Sequence, residues 1–132
     1  MRYFAFLAPL ALAACVSTTQ IDRAPSAAEG VAAEGAAVGL HQPVALGDAV
    51  VTPMRVVEDS RCPINARCVW AGRVVVETRV DGPGWRETVP MELGEPQALR
   101  DMQVALVSAE PGRTTQEDVP APEDYRFVFE GG

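Results

Sequence analysis

The 132-residue chain contains no lysine; all eleven basic residues are arginine, set against eighteen acids, for a formal net charge of −7. That balance excludes a basic nucleic-acid footprint as the leading reading, and no nucleic-acid partner is expected. Histidine occurs once, at His41. One imidazole leaves little material for His-based catalysis or a His-rich metal centre. No metal site and no cofactor are expected, and no D-x-D-x-D-G calcium loop occurs. Aromatic residues make up only 6% of the chain, so a core must be built mainly from aliphatics. No apolar run reaches the ~20 residues that a membrane-spanning helix needs. What is present in quantity is apolar side chains, 48% of residues, with eleven glycines and eleven prolines. The apolar share suits a globular core, while Gly and Pro favour turns and oppose long helices. The length suits one domain.

The N-terminus reads MRYFAFLAPLALAAC: Arg2, an apolar stretch from Tyr3 to Leu12, then Ala13-Ala14 before Cys15. This is the pattern of a secretory signal over residues 1–14. Leu12-Ala13-Ala14-Cys15 resembles the bacterial lipobox. The resemblance implies a diacylglyceryl group on the Cys15 thiol, cleavage before Cys15 and a fatty acyl chain, such as palmitate, on the new amine. An ordinary cleaved signal with a chance cysteine is the alternative. Two or more acyl chains make a stable anchor where one is marginal. Loss of Arg2 with the signal moves the formal charge from −7 to −8. The lipid, rather than the acidic domain, would then hold the protein to the membrane. Val16 rather than Asp follows the cysteine, which favours the outer membrane over the inner, with the domain facing the periplasm.

Residues 15–41 are rich in Ala, Gly and Ser, with an AAEG repeat at 27–30 and 32–35. Too little large apolar surface is present to offset ordering entropy, so a disordered linker is expected there. From Gln42 the texture becomes β, and a domain over 42–132 is expected. Val44–Leu46 reads as a short strand before a Gly47-Asp48 turn. Ala49–Glu58 is rich in β-branched residues, with Pro53 marking an edge, a bulge or a start. Val74, Val76, Thr78 and Val80 share one face; after the Asp81–Gly84 turn signal, Trp85, Val89, Met91 and Leu93 share another. Glu87 falls on that apolar face, which suggests a strand end or an arginine partner. Met102, Val104 and Leu106 form a further inward row, and Tyr125, Phe127 and Phe129 a last one. Five to seven strands close most simply as an all-β, small antiparallel sandwich or barrel. The alternative is a half-open sheet capped by a short helix near Glu95–Met102.

With Cys15 assigned to lipid, Cys62 and Cys68 remain as an even pair in a compartment that permits disulfides. A disulfide across this short loop is the leading reading. A metal site would need two further ligands, and a redox pair more often has C-x-x-C spacing. Asp59-Ser60-Arg61-Cys62-Pro63 and Cys68-Val69-Trp70-Ala71-Gly72 resemble the DSRCP…C-[VI]-W-A-G signature of a group of uncharacterised bacterial lipoproteins and secreted proteins. That group has the same layout of lipobox, linker and small β domain. The resemblance implies the fold and the envelope location and carries no activity with it.

Read from the residues alone, Asp59 and Ser60 turn the chain, and Trp70 points inward against the disulfide if the Val74 phase runs back unbroken. A bulge at Gly72 would break that phase. Arg61, Arg67 and Trp70 are the candidates for a binding rim. The acidic pairs Glu58-Asp59, Glu117-Asp118 and Glu123-Asp124 read as solvated loop charge. No nucleophilic triad assembles, and no catalytic residue is assigned. The expected function is a non-enzymatic envelope lipoprotein that binds a protein or a ligand. A structural or assembly accessory is the alternative, and a periplasmic hydrolase or metal-dependent enzyme is a weaker one.

Overall fold

A computed structural model describes residues 30–113 and 119–132. The signal, Cys15 and the Glu117-Asp118 pair lie outside the described residues. Seven strands form two antiparallel sheets. The first is the meander β1 (Val44–Leu46), β2 (Ala49–Asp59), β3 (Val74–Gly82) and β4 (Trp85–Glu92). The second is the meander β5 (Gln97–Leu99), β6 (Met102–Glu110) and β7 (Arg126–Gly131). A 3-10 turn, Pro122–Asp124, the one helical turn among the described residues, precedes β7. The all-β expectation holds, and β5 stands where the helix-capped alternative placed a helix.

Period-2 patterning produces the core. Val74, Val76, Thr78 and Val80 are all fully buried on one face of β3, as their alternation requires. They meet Val44, Leu46, Val51 and Met91 from the same sheet and Val104, Leu106, Phe127 and Phe129 from the other. Valine dominates, in keeping with the scarcity of aromatics. β2 carries register shifts between Pro53 and Arg55 and between Val56 and Glu58. Proline cannot donate to the ladder, so a bulge at its position is the physical outcome. The β3–β4 hairpin turns at Pro83-Gly84, with Gly84 at φ 73°. Trp85 folds its ring over Gly82, where a Cβ would stand 2.0 Å from it, and Arg100 lies over the same ring at 5.3 Å. Glu87 sits on the edge strand with Arg100 at 3.4 Å, which accounts for a carboxylate on an otherwise apolar row.

The folded part begins before Gln42, contrary to the expected linker boundary. Val38 is fully buried and exchanges two backbone hydrogen bonds with Phe127, at 2.9 and 2.8 Å. Ala32 joins Val44 through a parallel bridge. Residues 30–41 therefore contribute to the sandwich. They hold few large apolar side chains, but Val38 placed at the seam between sheets, with Ala32 and Leu40 packed against the same core, docks them. On the opposite flank, Leu93 bridges Leu106, so the sandwich is drawn toward a barrel at both seams.

Candidate functional site

The link between β2 and β3, residues 60–73, lies at one end of the sandwich and carries both cysteines. Cys62 and Cys68 are joined by a disulfide, with their Cα atoms 5.8 Å apart. Backbone bonds pair the two arms of the loop: Ser60 N donates to Arg73 O at 2.8 Å and Cys62 N to Ala71 O at 2.9 Å. Gly72 closes this clasp in a left-handed conformation, φ 70°. A Cβ on it would lie 1.8 Å from the Ser60 carbonyl oxygen, so only glycine fits. The strand phase ends there, and β3 begins at Val74.

Below the clasp, Asp59 is the pivot. Its side chain is 1% exposed. Arg61 grips it as a fork, Nε donating to Oδ1 at 2.9 Å and Nη2 to Oδ2 at 2.8 Å. Tyr125 donates its hydroxyl to Oδ2 at 2.7 Å. The guanidinium of Arg61 also reaches the second sheet, donating to Ala109 O at 2.7 Å and Pro111 O at 2.9 Å. Arg113 donates to the carbonyls of Asp59 and Arg61 and accepts from Ile64 N through its own carbonyl. Burial alone would raise the Asp59 pKa; the hydrogen bonds from Arg61 and Tyr125 and the Arg61 charge outweigh it and hold the carboxyl below the usual aspartate range. Burial, and then the bond to this carboxylate, push the Tyr125 phenol above its ordinary range. Beside this network, Ser60 Oγ donates to Glu58 at 2.9 Å and Arg73 Nε to the same carboxylate at 2.9 Å, which lowers the Glu58 pKa.

This geometry corrects three expectations. Asp59 is a buried ion-pair partner, not solvated charge. Arg61, with its side chain 16% exposed, binds the loop to both sheets and lines the concavity beside Arg67 and Trp70 without standing out from it. Trp70 does not lie against the core; it projects outward because Gly72 breaks the strand phase. The fork between Asp59 and Arg61 lies within the DSR triplet, but the Tyr125 contribution comes from 66 residues away and leaves no local signal.

The loop holds three large apolar side chains out in solvent. Ile64, Val69 and Trp70 are exposed to 82%, 104% and 70%. Arg67 is exposed beside them and makes no ion pair among the described residues. Ile64 and Val69 were not singled out in the sequence, although apolar residues in a Pro- and Asn-containing loop are a usable signal. Residues 60–73 contain three arginines and no acid, in a chain of net charge −7. An open concavity of about 460 Å³ lies along Arg61, Pro63, Arg67, Val69 and Trp70. A second, more apolar groove of about 640 Å³ runs along β2 between Leu40, Met54, Val56, Pro120 and Tyr125. His41 stands at its margin with φ 65° and donates its backbone N–H to Pro53 O at 2.7 Å. Glu123 and Asp124 are exposed in the 3-10 turn, as expected of solvated charge. No group of three His, Cys, Asp or Glu suited to a metal ion occurs among the described residues. No family model, curated protein or solved structure matches the chain.

Proposed function

We propose that this protein is a cell-envelope lipoprotein whose β domain is a non-enzymatic binding module and whose contact surface is the outer part of the stapled loop. The carrying observation is the exposure of Ile64, on a seven-residue disulfide ring, and of Val69 and Trp70, directly after it, in a loop held from beneath by Asp59 and Arg61. Large apolar side chains held out in water by a rigid loop are the signature of a contact surface. Pre-organisation lowers the ordering cost of contact, which suits a binding role. The buried carboxylate favours the same reading. Asp59 is engaged by two donors and held ionised, which suits a support and not a proton carrier. Arg67 and Trp70 remain the rim residues, now joined by Ile64 and Val69.

The lipobox-like Leu12–Cys15 supports anchoring through an acylated Cys15, with the outer membrane favoured and the partner drawn from the envelope. Mass spectrometry of the mature N-terminus tests the anchor; an unmodified terminus elsewhere overturns it. Footprinting of Trp70 in native envelopes and in the purified protein tests the contact surface. Protection of Trp70 in the envelope is expected. Equal accessibility in both overturns the reading.

A further inference from the structure

We propose that the surface met by the stapled loop is the lipid headgroup layer of the membrane to which the protein is anchored. The proposal rests on the reading of this loop as the contact surface and names its partner.

Three observations carry it. First, the exposed residues have interfacial character. Trp70 offers an amphipathic ring, Ile64 and Val69 offer aliphatic tips, and Arg67 a charge on a long apolar stem. Their near-complete exposure makes them projections from the end of the sandwich. Three projecting side chains cover far less than the ~800 Å² that a partner contributes to a standard protein interface. The same side chains are sufficient to dip into the boundary between headgroups and acyl chains.

Second, charge is segregated. The acidic molecule as a whole is repelled by anionic headgroups, yet residues 60–73 hold three arginines and no acid. Arg61 and Arg73 are paired with Asp59 and Glu58. Arg67, at the tip, is the cation directed outward beside the apolar residues. With Asp59 and Glu58 offsetting two of the three arginines and Glu110 near Arg61, Arg67 is the cation this loop brings to such a surface, and it lessens like-charge repulsion there.

Third, the lengths agree. Fourteen residues lie between Cys15 and Gly30, where the described chain begins. A chain of that length without fixed structure would span about 20–23 Å root-mean-square, and ~50 Å when fully extended. Ala32 is bridged to Val44, which pairs with Val51, so the chain enters the sandwich beside the Val51 level of β2. The loop leaves β2 at Asp59, eight residues further on, roughly 25 Å away at ~3.3 Å per residue. An anchor at Cys15 and the tip of the loop can therefore rest on one bilayer face, giving the domain two points of attachment.

The test uses the full lipidated chain in vesicles of phosphatidylethanolamine with a minority of phosphatidylglycerol, free of other protein. Trp85→Phe leaves Trp70 as the fluorophore. Trp70 emission should shift to the blue, lose quenching by aqueous iodide and gain quenching by lipids brominated on the acyl chain. Trp85 packs on Gly82, so the same signals are also read as the difference between wild type and Trp70→Phe. In a Cys15→Ser chain freed of residues 1–14, which lacks both the signal and the lipid, Trp70→Ala should weaken vesicle binding by about tenfold or more. Iodide-accessible Trp70 in vesicles overturns the proposal. If Trp70 is nevertheless protected in native envelopes, its partner is a protein, and the binding-module reading stands. An unacylated Cys15 overturns the anchor alone, because the Cys15→Ser measurement still decides the loop.

Discussion

At the scale of single residues, Asp59 and Gly72 decide whether the loop is held. Asp59→Asn removes the negative partner of a largely buried guanidinium and leaves Arg61 uncompensated. The expected cost is about 3 kcal/mol, or ~12–24 °C in Tm, read by thermal unfolding. The pH dependence has a definite sign. The folded-state pKa of Asp59 is lowered, so its stabilisation is complete above the unfolded value of about 4 and is lost as pH falls through the folded value. Urea titrations should show stability dropping below about pH 4 in the wild type. That acid limb should be smaller in Asp59→Asn. The Tyr125 phenol shifts the other way: its stabilisation is complete below the unfolded value near 10 and is lost above it, as a phenolate would form beside the carboxylate. Gly72→Ala meets both the Ser60 carbonyl and an unfavourable φ. A loss of about 2 kcal/mol or more is expected, with faster amide exchange at Ser60 and Cys62.

At the scale of elements, the loop between β2 and β3 is stapled twice, covalently and by the Asp59–Arg61–Tyr125 network. Chain entropy for a seven-residue ring assigns about 2–2.5 kcal/mol to the disulfide. Cys62→Ser/Cys68→Ser should lower Tm by about 8–20 °C, and alkylation without reduction should find both thiols blocked in protein from the envelope. An unchanged Tm would mean that the polar network alone holds the loop. The strands themselves were legible. Val74, Val76, Thr78 and Val80, or Phe127 and Phe129, alternate because one face of each strand meets the other sheet. The loop was legible only in part. Its cysteine pair follows from arithmetic and an oxidising compartment, but the direction of Trp70 depends on Gly72, which the folded loop brings so close to the Ser60 carbonyl that no Cβ fits.

At the scale of the whole molecule, the two sheets are joined along a seam in which residues 30–41 take part. Val38 is buried there and bonded to Phe127 on both sides of its peptide. A chain beginning at Gln42 loses that side chain's burial, the two hydrogen bonds to Phe127, and those of Ala32 to Pro43 and Ala45 and of His41 to Pro53. It should be about 3–5 kcal/mol less stable in urea than one beginning at Gly30. Equal stability of the two would restore the domain boundary expected from composition.

Composition and periodicity by themselves determined the class of fold. Aliphatic residues at period two, punctuated by glycine and proline, allow little besides short antiparallel strands, and that information is local to each strand. The tertiary structure alone decided which charged residues are buried and which apolar ones are not. In sequence Arg61 could pair with Glu58 or Asp59 or stay exposed; its burial with Asp59 is decided only where Tyr125, Ala109 and Pro111, at one end of the second sheet, close over them. Trp70 could face the core or the rim until Gly72 turns the chain out of phase, and the exposure of Ile64 and Val69 is not singled out in sequence. Both outcomes depend on groups far apart in the chain, whose meeting no local pattern encodes.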